Sequence, residues 1–207
     1  MIETLIDTCS TGSVEQTKAD PRARLLTAAE SLLLESGFDS VSIRAVCAAA
    51  EMNPAAVHYH FGSKERLIAA LLESRIGPAW FEPVARLHAE SVDVRDIVDA
   101  VVGPLVTMAA DPTGRLYLHL LARLVLGRYE LDWSDRWFSL DPFVELLQHN
   151  VPGLSTTAAR QRWAMSFELI LGQFGDPLAG DRTLSPVQVE TLCRFVTAGL
   201  SDEVVEA

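Results

Sequence analysis

The densest run of side chains able to do chemistry is Asn53-Pro54-Ala55-Ala56-Val57-His58-Tyr59-His60-Phe61, followed closely by Lys64. Pro54, Ala55 and Ala56 put almost no bulk on the first turn of a short helix. Its backbone can therefore approach base edges, and Ala55 or Ala56 can touch a thymine methyl. His58, Tyr59 and His60 bring imidazole and phenol donors that position a helix against phosphates. Ser42 and Lys64 stand at helix N-termini, where unpaired N–H groups and the helix dipole favour a phosphate. Arg44 projects from the preceding helix, and Arg22 and Arg24 from the start of the first, all within reach of a sugar-phosphate backbone. The chemistry indicated is contact with double-stranded DNA. Structural roles stand beside it. Val57 and Phe61, four apart, are core residues. Tyr59 also suits a half-buried aromatic, Ser42 is a cap in either case, and Arg44 and Lys64 suit solvated charges. His58 and His60, two apart, share no helix face and make no zinc pair.

Positioning these residues takes several short elements. Asp20 is an N-cap with Pro21 in the first turn. Leu25/Leu26, Ala29 and Leu32/Leu33 recur at helical spacing to about Ser36, and Gly37 is a left-handed stop with Phe38 folding back. Ser42 caps a second helix whose inner face is Ile43, Val46, Cys47 and Ala50. Glu51-Met52-Asn53 is a three-residue break. Asn53 caps a third helix from Pro54 to about Phe61, and Ser63 caps a fourth from Lys64 to about Ile76. Two short helices joined by three residues form a helix-turn-helix.

Leu25-Leu26-Thr27-Ala28-Ala29, Gly37-Phe38, Ser42-Ile43-Arg44, Val57-His58-Tyr59-His60-Phe61 and Ser63-Lys64-Glu65 stand at the spacing of TetR-family repressors, and residues 22–68 resemble that family. Tyr59-His60-Phe61-Gly62-Ser63-Lys64 is the most diagnostic stretch. The resemblance implies an all-α protein: an N-terminal three-helix helix-turn-helix domain and a larger C-terminal helical domain for ligand binding and dimerisation. It implies a dimeric repressor on a near-palindromic operator, released by a small apolar effector, with no cofactor or metal. Its DNA-binding residues would be Arg22, Ser42, Arg44, Asn53, Pro54, Ala55, Ala56, His58, Tyr59, His60 and Lys64. Two departures stand out. Glu51 occupies a turn position where the family usually has glycine, and Ala45 stands where a capping-box acid would.

Composition bounds the rest. In 207 residues, 49% are hydrophobic and 22% charged, as in an ordinary globular chain. No apolar run is long enough for a membrane span, and the N-terminus lacks the basic region of a signal peptide. Cys9, Cys47 and Cys193 form no CxxC, which points to neither a disulfide framework nor a zinc knuckle and suits the cytoplasm. A net charge of −11 argues by itself against nucleic acid, but Lys18 to Arg75 is neutral and the acid excess lies mostly behind it. Residues 1–19 read as a mobile arm, 20–77 as the DNA-binding domain and 78–207 as the ligand-binding and dimerisation domain, divided at Gly77-Pro78. No G-x-S-x-G, Walker A, H-E-x-x-H or G-x-G-x-x-G appears, so the reading is not an enzyme. A small helical enzyme and a helical interaction protein without DNA binding are the alternatives.

Behind the boundary, helices are predicted at 82–90, 93–110, 115–127, 136–149, 157–174 and 186–201. Gly103-Pro104 predicts a kink or restart, whose straightening by ligand would turn the front domain. Trp163, Phe167, Ile170 and Phe174, and Val189, Leu192, Val196 and Leu200, form two stripes facing either a twofold mate or the core. Trp133, Trp137, Phe138 and Phe143 suit a satellite core cluster or the wall of an apolar cavity, with Trp163 and Phe167 assigned to it. His119 and Arg123, four apart, would form its polar end for a carboxylate. The run Arg115 to Arg123 and the stretch Trp163 to Gly172 resemble the TetR subgroup that senses fatty acids and acyl thioesters.

Overall fold

The computed structural model describes residues 20–87, 92–175 and 183–202, apart from the side chains of residues 80 and 81; the arm expected at 1–19 lies outside them. The regular elements among the described residues are all helices, without strands. α1 (Pro21–Ser40) begins where Asp20 accepts from the Arg22 N–H at 3.1 Å. Gly37 interrupts it at φ 73°, a left-handed conformation that costs a side-chain-bearing residue about 1–2 kcal/mol. The interruption turns Phe38 inward, where it is buried. α2 (Ile43–Ala49), α3 (Ala56–His60) and the start of α4 (Lys64–Leu87) complete the front unit. Leu25, Leu33, Val46, Cys47, Val57 and Leu67 belong to its buried core.

α4 overturns an expected break. It runs through Gly77, Pro78 and Pro83 as one helix, so the proposed domain boundary falls inside it and no separate helix starts at 82. An interior proline costs about 3 kcal/mol because it removes a ladder bond. Against that, Leu67, Ile68, Leu71, Leu72, Ile76 and Val84 are all fully buried, each worth about 1.5–3 kcal/mol. Packing therefore outweighs local propensity.

The rear unit comprises α5 (Val94–Ala109), α6 (Pro112–Leu126), a single 3-10 turn at Arg136–Phe138, α7 (Asp141–Asn150), α8 (Thr156–Phe174) and α9 (Pro186–Ser201). α5 lies against α4, α6 and α9, and α6 packs on α8. α5 passes Pro104 without a restart, because Val98, Val101, Val102 and Leu105 on either side are buried. The single helix expected at 136–149 is instead the 3-10 turn followed by α7. Pro142 fits a helix only in its first turn, so α7 starts at Asp141. Gly175 marks the close approach of α8 to α6: a Cβ there would lie 2.2 Å from the Ala122 Cβ and 2.6 Å from the Leu118 carbonyl.

The two apolar stripes face the core of their own chain. Trp163, Ile170, Leu192, Val196 and Leu200 are buried, and Phe167, Phe174 and Val189 pack partly buried against them. The outward faces of the same helices carry other residues: Met165 is 62% and Phe195 69% exposed.

Candidate nucleic-acid interface and cavity

In the helix-turn-helix, Ser42 Oγ accepts from the Ala45 N–H at 3.1 Å and starts α2. The turn places Glu51 at φ 52°, the conformation for which glycine would be the easy choice. Arg24 braces it. Its guanidinium donates to the Ala50 carbonyl and lies 3.8 Å from the Glu51 carboxylate. Arg24 thus holds the turn. Asn53 Oδ1 accepts from the Ala55 N–H at 2.8 Å, an Asx turn that keeps Pro54 and Ala55 outside the helix; α3 therefore starts two residues later than its proline suggests.

α3 is anchored through Val57, fully buried, and by Phe61 just after it. Pro54, Ala55, His58 and Tyr59 are exposed, with Ala56 and His60 half-buried. Tyr59 is 86% exposed, which removes the half-buried alternative. Ala55, Ala56 and Tyr59 share a helix face by their spacing. His58 Nδ1 lies 3.0 Å from the Gly62 carbonyl, and the His60 ring meets the Tyr59 edge at 5.0 Å, so both imidazoles flank that face. Arg44 is exposed, and Arg22 is exposed with its guanidinium 5.2 Å from the Phe61 ring centre.

Lys64 is placed otherwise than expected. Its Nζ donates to the Phe38 carbonyl at 2.5 Å and lies 4.1 Å from the centre of the Phe38 ring. Burial, more than the neighbouring charges, holds its ammonium below the usual lysine range. Lys64 is therefore neither a solvated charge nor extended toward a phosphate.

The aromatic segment does enclose a cavity. Its volume is about 290 Å³, and Trp133, Trp137, Phe138, Phe143 and Phe167 line it together with Leu121, Leu124 and Val125 of α6. Trp133 and Phe138 stack at 4.8 Å, and Phe143 meets Phe167 edge-on at 5.0 Å. Trp163 stands behind Phe143 and Phe167 rather than in the lining; its buried indole N–H has no acceptor among the described residues.

His119 and Arg123 do not form the cavity's polar end. On a 3.6-residue helix they lie roughly 150–170° around from the mean direction of Leu121, Leu124 and Val125. His119 Nδ1 is 3.2 Å from the Gly175 carbonyl. Arg123 grips Asp39 of α1 at 2.6 and 3.3 Å and lies 4.1 Å from the Phe38 ring centre. The lining's charged side chain among the described residues is Glu168 of α8, which sequence reasoning missed. Ala164, Phe167, Glu168 and Leu171 stand at i, i+3, i+4 and i+7, a spacing that could have revealed it.

The two units meet through specific contacts. Arg75 clasps the Glu30 carboxylate at 2.6 and 3.0 Å, and the Tyr117 hydroxyl donates to the same group. Glu73 accepts from the backbone N–H of Ser134 and Asp135, and Arg66 pairs with Asp132 at 2.8 Å. α6 thus carries both cavity wall and front-unit contacts, through Tyr117 and Arg123. Among the described residues, no group of acidic, histidine or cysteine side chains could hold a metal ion, and no helix is long and apolar enough to cross a membrane.

Residues 25–71 match the family profile described as bacterial regulatory proteins, tetR family. The chain is 37% identical over 87 residues to the HTH-type transcriptional regulator UidR of Escherichia coli K12; the match spans 40% of this chain and 44% of that relative, less than half its length. Among solved structures, NalD, the secondary repressor of the MexAB-OprM multidrug efflux pump in Pseudomonas aeruginosa, superposes with TM-score 0.56 at 24% identity, over 89% of this chain and 97% of that one. A TetR-family regulator from Streptomyces coelicolor gives 0.61 at 20% identity, over 87% and 98%. The fatty acid degradation regulator FadR of Bacillus halodurans gives 0.53 at 19%, over 93% and 100%. At these identities the solved structures speak for the fold alone.

Proposed function

We propose that this chain, whose residues 25–71 match the tetR family of bacterial regulatory proteins, is a dimeric repressor whose operator grip is released by a small, mainly apolar molecule. The observation that carries the DNA reading is the surface formed by the exposed Ala55 and Tyr59 and the half-buried Ala56 at the start of α3, held by a capped and braced turn. Ala55 and Ala56 read base edges, while Tyr59, Arg44, Arg22 and the Ser42 end of α2 meet phosphates. Residues 20–77 act as the reading head and 78–207 as the ligand-binding and dimerising body.

Dimerisation uses the outward faces of α8 and α9, around Met165 and Phe195, because the stripes first considered are covered within the chain. A twofold pair of heads matches a near-palindrome. The effector occupies the aromatic cavity. Its signal passes along α6 to Glu30 through Tyr117 and to Asp39 through Arg123, since α5 has no break at Pro104 to straighten. A ligand shifts DNA affinity only by its preference for one of the two head arrangements.

The test is a gel-shift titration on the DNA upstream of the chain's own gene. Tyr59→Phe and Arg44→Ala should weaken binding to all sequences alike, whereas changes at Ala55 or Ala56 should alter sequence preference. A protein that shifts no DNA, or shifts it equally well without Tyr59 and Arg44, would overturn this reading.

A further inference from the structure

The cavity's charge points to the kind of molecule it takes. Its buried end is closed by Phe143, Leu121, Leu124 and Leu171, each 3% exposed or less, with no charged side chain. Its open end is formed by Tyr129, Val125 and the exposed carboxylate of Glu168. Between them lie the faces and edges of Trp133, Trp137, Phe138 and Phe167. A carboxylate head group would meet no positive lining residue, since His119 and Arg123 are on the far side of α6. Entering fully, it would leave a charge buried and unpaired, which disfavours binding.

We propose that the cavity binds a flat aromatic cation, its rings among these aromatic side chains and its charge toward Glu168; this deepens the effector reading above and rests on it. Aromatic rings present negative faces that attract a cation. One of them already does so within the chain: the Arg136 guanidinium lies 5.5 Å from the centre of the Trp137 ring. At the mouth, the Glu168 side chain is exposed. Its neighbour Arg128, 3.9 Å away, is 86% exposed and outside the lining, so a ligand cation can take its place with little loss.

Three probes of one shape separate charge from fit: N-methylquinolinium (cationic), 1-methylnaphthalene (neutral) and 1-naphthoate (anionic). Equilibrium dialysis against the full chain should rank them in that order, the cation binding about tenfold tighter than the neutral probe. Glu168→Gln, at an exposed position, should bring the cation to within about twofold of the neutral probe. Arg128→Ala should tighten the cation, because its competitor is gone. Equal binding of cation and neutral probe, an unchanged ratio in Glu168→Gln, or no binding of any probe would overturn the inference. So would preferred binding of 1-naphthoate that is lost in Arg128→Ala. The same samples run on the DNA shift keep the two readings apart. A cation that binds through Glu168 yet leaves the DNA complex intact upholds the pocket chemistry and refutes the inducer role.

Discussion

Replacing Arg123 by alanine should loosen the grip between the front and rear units while leaving the cavity alone. The magnitude follows from three contacts. The bidentate pair with Asp39 has a partner 77% exposed, so it contributes about 0.5 kcal/mol. The guanidinium over Phe38 adds about 1 kcal/mol, being partly desolvated. Against these, the buried Arg123 Nε has no acceptor among the described residues, and its removal returns part of the loss. The net cost is about 1 kcal/mol, or about 2–4 °C in melting temperature for a chain of this size. Urea and thermal unfolding at fixed protomer concentration measure it. Crossing Arg123→Ala with Asp39→Asn should give a coupling near the 0.5 kcal/mol assigned to the pair. Affinity for N-methylquinolinium should stay within about twofold of wild type, since Arg123 points away from the cavity. Unchanged stability with ligand affinity down about tenfold would refute the reasoning and make Arg123 a head-group ligand after all.

Gly175→Ala should cost about 1–3 kcal/mol in urea unfolding, because its Cβ would collide with Ala122 and the Leu118 carbonyl, which packing fixes in place; a neutral result would mean α8 stands further from α6. Phe195→Glu should shift sedimentation from dimer to monomer, whereas an unchanged dimer would place the interface elsewhere. Glu30, held below its usual 4.5 chiefly by the Arg75 hydrogen bond and also by Tyr117 against the opposing effect of burial, adds stability that is full above that value and lost as pH falls through its folded pKa; Glu30→Gln should flatten the acid side of the stability curve below pH 4.5. Tyr117, pushed up to about 12 mainly by burial, should cost stability as pH rises past 10, and Tyr117→Phe should remove that alkaline slope. Arg44→Ala should lower the salt slope of operator binding by about 0.9, and an unaltered slope would place that side chain off the phosphates.

The sequence by itself determined the starts of α1, α2, α4 and α9, the stop at Gly37 and the helix-turn-helix, because a cap or a left-handed turn is decided within four residues. Asp20, Ser42, Asn53, Ser63 and Ser185 each hydrogen-bond a backbone N–H two or three positions on. The glycine usual in the family at the Glu51 turn position pointed to the positive φ found there. The aromatic segment was legible only as either a satellite core cluster or a cavity wall, and the fold made it the wall. Tertiary structure decided what depends on distant partners. Prolines 78 and 104 read as breaks, yet their helices continue because the buried stripes around them outweigh one missing bond apiece. Arg24, Lys64 and Arg123 read as charges for phosphates or a ligand; the turn, Phe38 and Asp39 hold them instead. Periodicity marks which face of a helix is apolar but not which neighbour covers it. So only the assembled chain turned the stripes of α8 and α9 inward, left Met165 and Phe195 outside, and set an acid, not a base, at the mouth of the cavity.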